Sequence, residues 1–203
     1  MILPTTREDE PSAEDLPFVF RSGRTCLDFC ATVGQRWHRG FERVQTADDL
    51  ARWYTEAAVV NNLVPVTVAD LDIARTVREA VYRSARALID GQPLPPDDGE
   101  IINSAAAAPP PVPRMRNGAV TVTAAGPGPA ASALSAVARD AIGLFATADA
   151  RRLRECASPE CGLLFLDLSR PGHRRWCSSA ACGGKARAAA YRRRRAGEAI
   201  RAC

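Results

Sequence analysis

The chain has 203 residues, 46% hydrophobic and 25% charged, a composition that can bury one core with a small satellite module and that excludes wholesale disorder. No apolar run approaches the roughly 18 residues that cross a bilayer, and the opening MILPTTREDEPSAEDLP lacks the basic and apolar regions of a secretory leader, so a cytoplasmic protein with no membrane partner is expected. The net charge of +4 divides unevenly, with 13 Lys and Arg against 4 Asp and Glu in residues 151–203, so a basic tail suited to a polyanion is carried by an acidic body.

Residues 1–17 read as a flexible lead-in and 18–150 as a helical domain. FVFRSGRTCLDFCATVG mixes apolar and small residues, and predicts a strand passing into a helix around Cys26. Thr46 with Asp49 three residues later forms a capping-box pair that opens a helix in DLARWYTEAAVV. Thr67 and Asp70 repeat the signal ahead of the stripe Leu71, Ala74, Val77, Val81, Ala85 and Leu88, which Gly91 and Pro93 end. Residues 92–111 contain PLPP and PPP and read as a surface crossing. Asn117-Gly118 between PVPRMR and AVTVT predicts a hairpin, because both turn positions require positive φ. A further helix is expected over about 130–148, with Leu134, Val137, Ala141, Leu144 and Phe145 on its apolar face. The expected fold class is a mainly α N-terminal domain with a small β-hairpin, followed over 151–203 by a small α+β Cys₄ finger with a basic C-terminal helix.

That finger rests on Cys156, Cys161, Cys177 and Cys182. The cysteines fall in two pairs of equal internal spacing, CASPEC and CSSAAC, separated by fifteen residues. Two such knuckles supply the four soft ligands of tetrahedral Zn²⁺, and a complete sulfur set leaves no open position for a substrate, so a structural zinc is expected. Seven cysteines in a reducing compartment do not form a disulfide framework. Between the knuckles, Leu163–Leu168 predicts a strand, Ser169–Gly172 a turn and His173–Trp176 a returning strand, the pattern of ribbon and treble-clef fingers. Gly162 and Gly183 are placed to turn backbone amides towards the sulfurs, and Trp176 to shield the metal. In GKARAAAYRRRRAGEAIRAC, Lys185, Arg187, Arg192, Arg193, Arg194 and Arg195 spread around the whole helix. A helix charged on all sides cannot bury in a core, but a nucleic-acid groove accepts it. Arg174 and Arg175 add to the same surface, and all eight are candidate phosphate contacts.

RECASPECGLLFLDLSRPGHRRWCSSAACGGKARAAAYRRRR resembles the CGNR zinc-finger family of bacterial proteins. The N-terminal two thirds, opening on SGRTCLDFCATVGQR, resemble the associated ABATE domain, so the resemblance spans about Phe18 to Arg195. It implies a stress-induced transcription regulator with the finger as its DNA-binding element. Two departures stand out. The family signature Cys-Gly-Asn-Arg is Cys182-Gly183-Gly184-Lys185 here, which keeps the charge but loses the planar fork through which Arg engages guanine or phosphate. In LDFCAT, the family usually has Asn in the place of Ala31.

Other constellations carry less. Cys26 and Cys30 read as small buried hydrophobes rather than a redox or metal pair, and Cys203 as an exposed spectator thiol. His38 and His173 are isolated. Asp28 lies in an apolar run and needs a partner, for which Arg24 or Arg36 is placed, so the three form a candidate N-terminal site. No Ser-His-Asp arrangement, P-loop, dinucleotide fingerprint or open metal site is present, so an enzyme is not expected. The expected partner is DNA, with a small-molecule effector and a homodimer as further expectations, since a lone finger reads too short a site for genomic specificity. The rival readings are an RNA-binding protein, a small-molecule-binding or biosynthetic protein with a purely structural finger, and a module that docks an acidic protein.

Overall fold

The computed structural model describes residues 16–201; most of the lead-in and Cys203 lie outside them. The chain opens into α1 (Thr25–Cys30), whose Cys26, Leu27, Phe29 and Cys30 are all buried. A two-residue ladder follows, β1 (Val33–Gly34) antiparallel to β2 (Phe41–Glu42). Next come α2 (Ala47–Glu56), α3 (Val68–Ile89) and α4 (Pro96–Ala106). The hairpin β3 (Val112–Arg116) and β4 (Ala119–Thr123) leads to α5 (Pro129–Phe145). A 3₁₀ turn (Ala148–Arg152) then passes into β5 (Leu153–Glu155), β6 (Leu164–Leu166) and α6 (Cys182–Arg201).

Local chemistry sets most of these boundaries. Thr46 and Thr67 each accept from the amide three residues on, and Asp49 and Asp70 each bond back to the cap amide, so both capping boxes form. Each supplies partners for helix-end donors that would otherwise have none. At the β3–β4 turn, Asn117 and Gly118 take φ of 50° and 76°, the pair of positive values that fits the twist of a two-residue hairpin. The hairpin is fastened to the body where the Asn61 amide donates to the Val122 carbonyl at 3.0 Å.

α3 forms the axis of the body; α1, α4 and α5 pack on it, and α1 also packs on α5. Its stripe is buried from Leu71 to Ala85. Trp53, Tyr54 and Phe29 are the largest fully buried side chains, with the Phe29 and Trp53 rings 4.7 Å apart. Buried charge in the helical body is paired. Arg78 reaches Thr32 at 2.9 Å and Glu42 at 2.8 Å, which ties the β1–β2 ladder to α3. Arg83 meets the buried Asp98 of α4 at 3.0 Å.

Three sequence expectations are corrected, the first being the strand ahead of α1, since residues 18–24 form none. Residues 92–111 are not only a surface crossing, because α4 occupies 96–106 and buries Asp98, Ile102 and Ala106. Pro96 stands at the first helical turn, where a missing amide costs nothing, so the prolines open a helix there. The strand after the first knuckle also has a different partner. Leu164–Leu166 pairs with Leu153–Glu155, upstream of the cysteines, and residues 173–176 form no strand. Leu153, Leu164 and Leu166 are 1%, 2% and 3% exposed and belong to the main core, whereas His-Arg-Arg-Trp has no apolar alternation to bury. The finger therefore shares a core with the helical body.

Candidate metal centre and basic helix

β5 delivers Cys156 to the first knuckle, which turns through the Cys161 amide bonding the Ser158 carbonyl at 3.0 Å. Gly162 follows at φ +64°, and a Cβ there would sit 3.0 Å from the Trp37 ring, so both conformation and space require glycine. β6 then leads to Asp167, a fully buried carboxylate that gathers the backbone in place of a returning strand. It accepts from the Ser169 amide at 3.0 Å, the Ser169 hydroxyl at 2.6 Å and the Arg174 amide at 2.9 Å. Burial pushes this carboxyl up, but those bonds outweigh burial and hold it down at about 2. In the second knuckle the Ser178 carbonyl accepts from the Gly183 amide at 2.9 Å, and α6 begins at Cys182 itself. Gly183 thus sends no amide to sulfur. Its lack of a side chain admits Trp176, whose ring lies 3.1 Å from where a Cβ would be.

The four sulfurs converge, all within 4.8 Å of one another, with Cys161–Cys177 and Cys177–Cys182 both at 3.7 Å. A Zn–S bond of about 2.3 Å places sulfurs roughly 3.8 Å apart along a tetrahedron edge, so the residues fit a tetrahedral metal. Hydrogen bonds from the Cys161 and Cys177 thiols hold Cys156 low, at about 2, and the same contacts push Cys161 up to about 12 and Cys177 higher still. Beside a charged Cys156, the Cys161 and Cys177 thiols resist ionising; a dication removes that restriction. The Cys177 amide, 3.5 Å from the Cys156 sulfur, and the positive N-terminal end of α6 add to the favourable field. Phe165 and Leu163 close the centre, with Trp176 packed against it.

Arg174 stacks over Phe165 at 5.0 Å and donates to the Cys177 carbonyl at 2.8 Å, so its guanidinium is spent on holding the second knuckle. Arg175, Lys185, Arg187 and Arg192–Arg195 are all exposed. Arg187 donates to the Ser179 carbonyl at 3.0 Å, and Arg195 lies over Tyr191. At the departures from the family signature, Gly184 faces open space and Lys185 lines a cleft of about 300 Å³ with Arg21 and Arg43.

The candidate N-terminal trio is not brought together. Asp28 accepts from the Ser22 amide at 2.8 Å, and burial pushes its carboxyl up. Arg24 pairs with Asp140 at 2.8 Å, and Asp140 also receives the Cys26 amide. Arg36 pairs with Glu79 at 2.8 Å and stacks over Tyr82 at 4.0 Å. Each long side chain found a nearer acid, and the short Asp28 side chain a nearer amide. Cys26 and Cys30 are buried, and burial raises both thiols, Cys30 to about 12, as suits inert packing.

Sequence reasoning missed the clasp between body and finger. Glu155 accepts from the Trp37 indole and from Arg86 of α3, while the Leu166 amide donates to the Ser22 carbonyl at 2.8 Å. No local pattern signals contacts between residues 69 to 144 positions apart.

The family model described as "Putative stress-induced transcription regulator", ABATE, matches residues 23–148, and the CGNR zinc finger matches residues 152–195. The chain belongs to the ABATE family, with a CGNR zinc finger following the ABATE domain. No curated protein matches it.

Proposed function

We propose that this protein is a non-catalytic transcription regulator that binds duplex DNA through α6, with Zn²⁺ in the Cys₄ centre fixing the helix to the body. The observation that carries the reading is the start of α6 at the fourth ligand, Cys182, followed by Lys185, Arg187 and Arg192–Arg195, all exposed. Zn²⁺ supplies the charge that lets the sulfurs share one small volume. The side chains of α6 then meet phosphates on both walls of a major groove about 12 Å wide. Arg175 flanks this surface, and Arg21 with Lys185 extends it into the cleft beside the finger. Lys185 engages phosphate as a point charge, so sequence selectivity is weaker than the Cys-Gly-Asn-Arg signature would give. A homodimer through the helical body lengthens the sequence read.

The test is anisotropy of a labelled DNA duplex titrated with metal-loaded protein, then competed with structured RNA at the same salt. Binding that RNA displaces only weakly is expected. Displacement by RNA at lower concentration than by DNA moves the function to RNA, and absence of binding overturns the proposal.

A further inference from the structure

We propose that the helical body binds an amphiphilic organic cation, a protonated amine of drug-like size, in the groove between α3, α4 and α5. The groove has a volume of about 590 Å³, within the range of roughly 300–1,000 Å³ that holds such ligands. Its floor is apolar, formed by Ile73, Ile101 and Leu134 among small alanines of α4 and α5. Ile73 is 56% exposed, a large apolar side chain left facing water on the central helix.

The charge at this groove has one sign. Asp70, Asp72 and Glu100 line it, and none of its lining residues is Lys, Arg or His. Asp70 is committed to its capping box, whereas Asp72 and Glu100 form no ion pair among the described residues. Of the other acids of the body, Asp98 is matched by Arg83 and Glu79 by Arg36, while the exposed Asp48 and Asp97 form no ion pair among the described residues. Tyr54 gives a second, independent pointer. It is 1% exposed, it lines the groove, and its hydroxyl has no hydrogen-bond partner among the described residues. An ammonium N–H entering the groove can donate to this hydroxyl, which has an open acceptor position there. Tyr54 and the carboxylates orient the cation while the leucine and isoleucines take its hydrocarbon. A carboxylate or phosphate ligand meets only like charge here. The inference stands whether or not α6 engages DNA.

Two fluorescent probes with one aromatic body and opposite charge test it: 1-pyrenemethylamine and 1-pyrenecarboxylate, titrated into metal-loaded full-length protein. The amine is expected to bind at one site, at least tenfold more tightly than the carboxylate. The double variant Asp72→Asn, Glu100→Gln removes two exposed charges and is expected to weaken the amine about tenfold. Ala131→Trp, from an exposed position on the groove wall, is expected to abolish amine binding with helix content and melting unchanged. Equal binding of both probes, or amine binding that survives both variants, overturns the proposal. So does the absence of amine binding together with a dimer that Ala131→Trp disrupts, which would assign the groove to a second copy.

Discussion

Removing the metal should unfold more than the finger. Leu153, Leu164 and Leu166 are all but fully buried in the core that α1, α3 and α5 share. At about 2 kcal/mol for each buried leucine, their withdrawal removes roughly 6 kcal/mol from the body, against a total stability of roughly 5–15 kcal/mol. Structural zinc contributes roughly 10–16 kcal/mol in finger peptides, enough to govern whether this ladder forms. At roughly 2–4 °C per kcal/mol for a chain of this size, the melting temperature of α2, α3 and α5 should fall by about 15 °C. The assay is thermal melting followed by helix circular dichroism, comparing metal-loaded protein with protein stripped by chelator under reducing conditions. Cys177→Ser should reproduce the loss. A helix transition that stays put after stripping would refute the shared core, and would make the finger an independent unit.

Three further outcomes follow from named contacts. Thr67→Ala removes a cap of the central helix and should cost about 1 kcal/mol, seen as a melting temperature roughly 2–4 °C lower. Although burial pushes Asp49 up, the Thr46 hydroxyl and amide, with Arg52, outweigh it and hold the carboxyl low. A depressed folded-state pKa gives stability that is present above the unfolded value and lost as pH falls, so the gap between wild type and Asp49→Asn should close below about pH 4; a gap independent of pH would refute this. Gly162→Ala should destabilise by roughly 1–2 kcal/mol through its positive φ and its approach to Trp37. The same change should cost less in a Trp37→Ala background, measured by a double-mutant cycle of melting.

What the sequence disclosed was local. Capping boxes at Thr46 and Thr67, the Asn117-Gly118 turn and the stripe of α3 are set by neighbours within a few residues, and each formed where its pattern placed it. The cluster of four cysteines was legible because knuckle spacing is itself a geometric constraint. The partner of Leu164–Leu166 was not, since pairing with residues 153–155 is decided by which leucines reach the common core. α4 was hidden by prolines that read as breakers and act as a helix start. The partners of Arg24, Asp28 and Arg36 depended on tertiary distances that charge and spacing do not encode.

The most direct measurement is the salt dependence of duplex-DNA affinity for metal-loaded protein and for the variant Arg192→Gln, Arg193→Gln, Arg194→Gln, Arg195→Gln. If five side chains of the basic surface meet phosphate, log affinity should fall against log salt with a slope near −4.5, by about 0.9 per contact. The variant should keep its fold and show a slope shallower by about 0.9 for each of the four that meets phosphate, reaching about −0.9 if all four do. A flat response in the wild type, or a slope the four substitutions leave unchanged, would contradict α6 as the element that holds DNA.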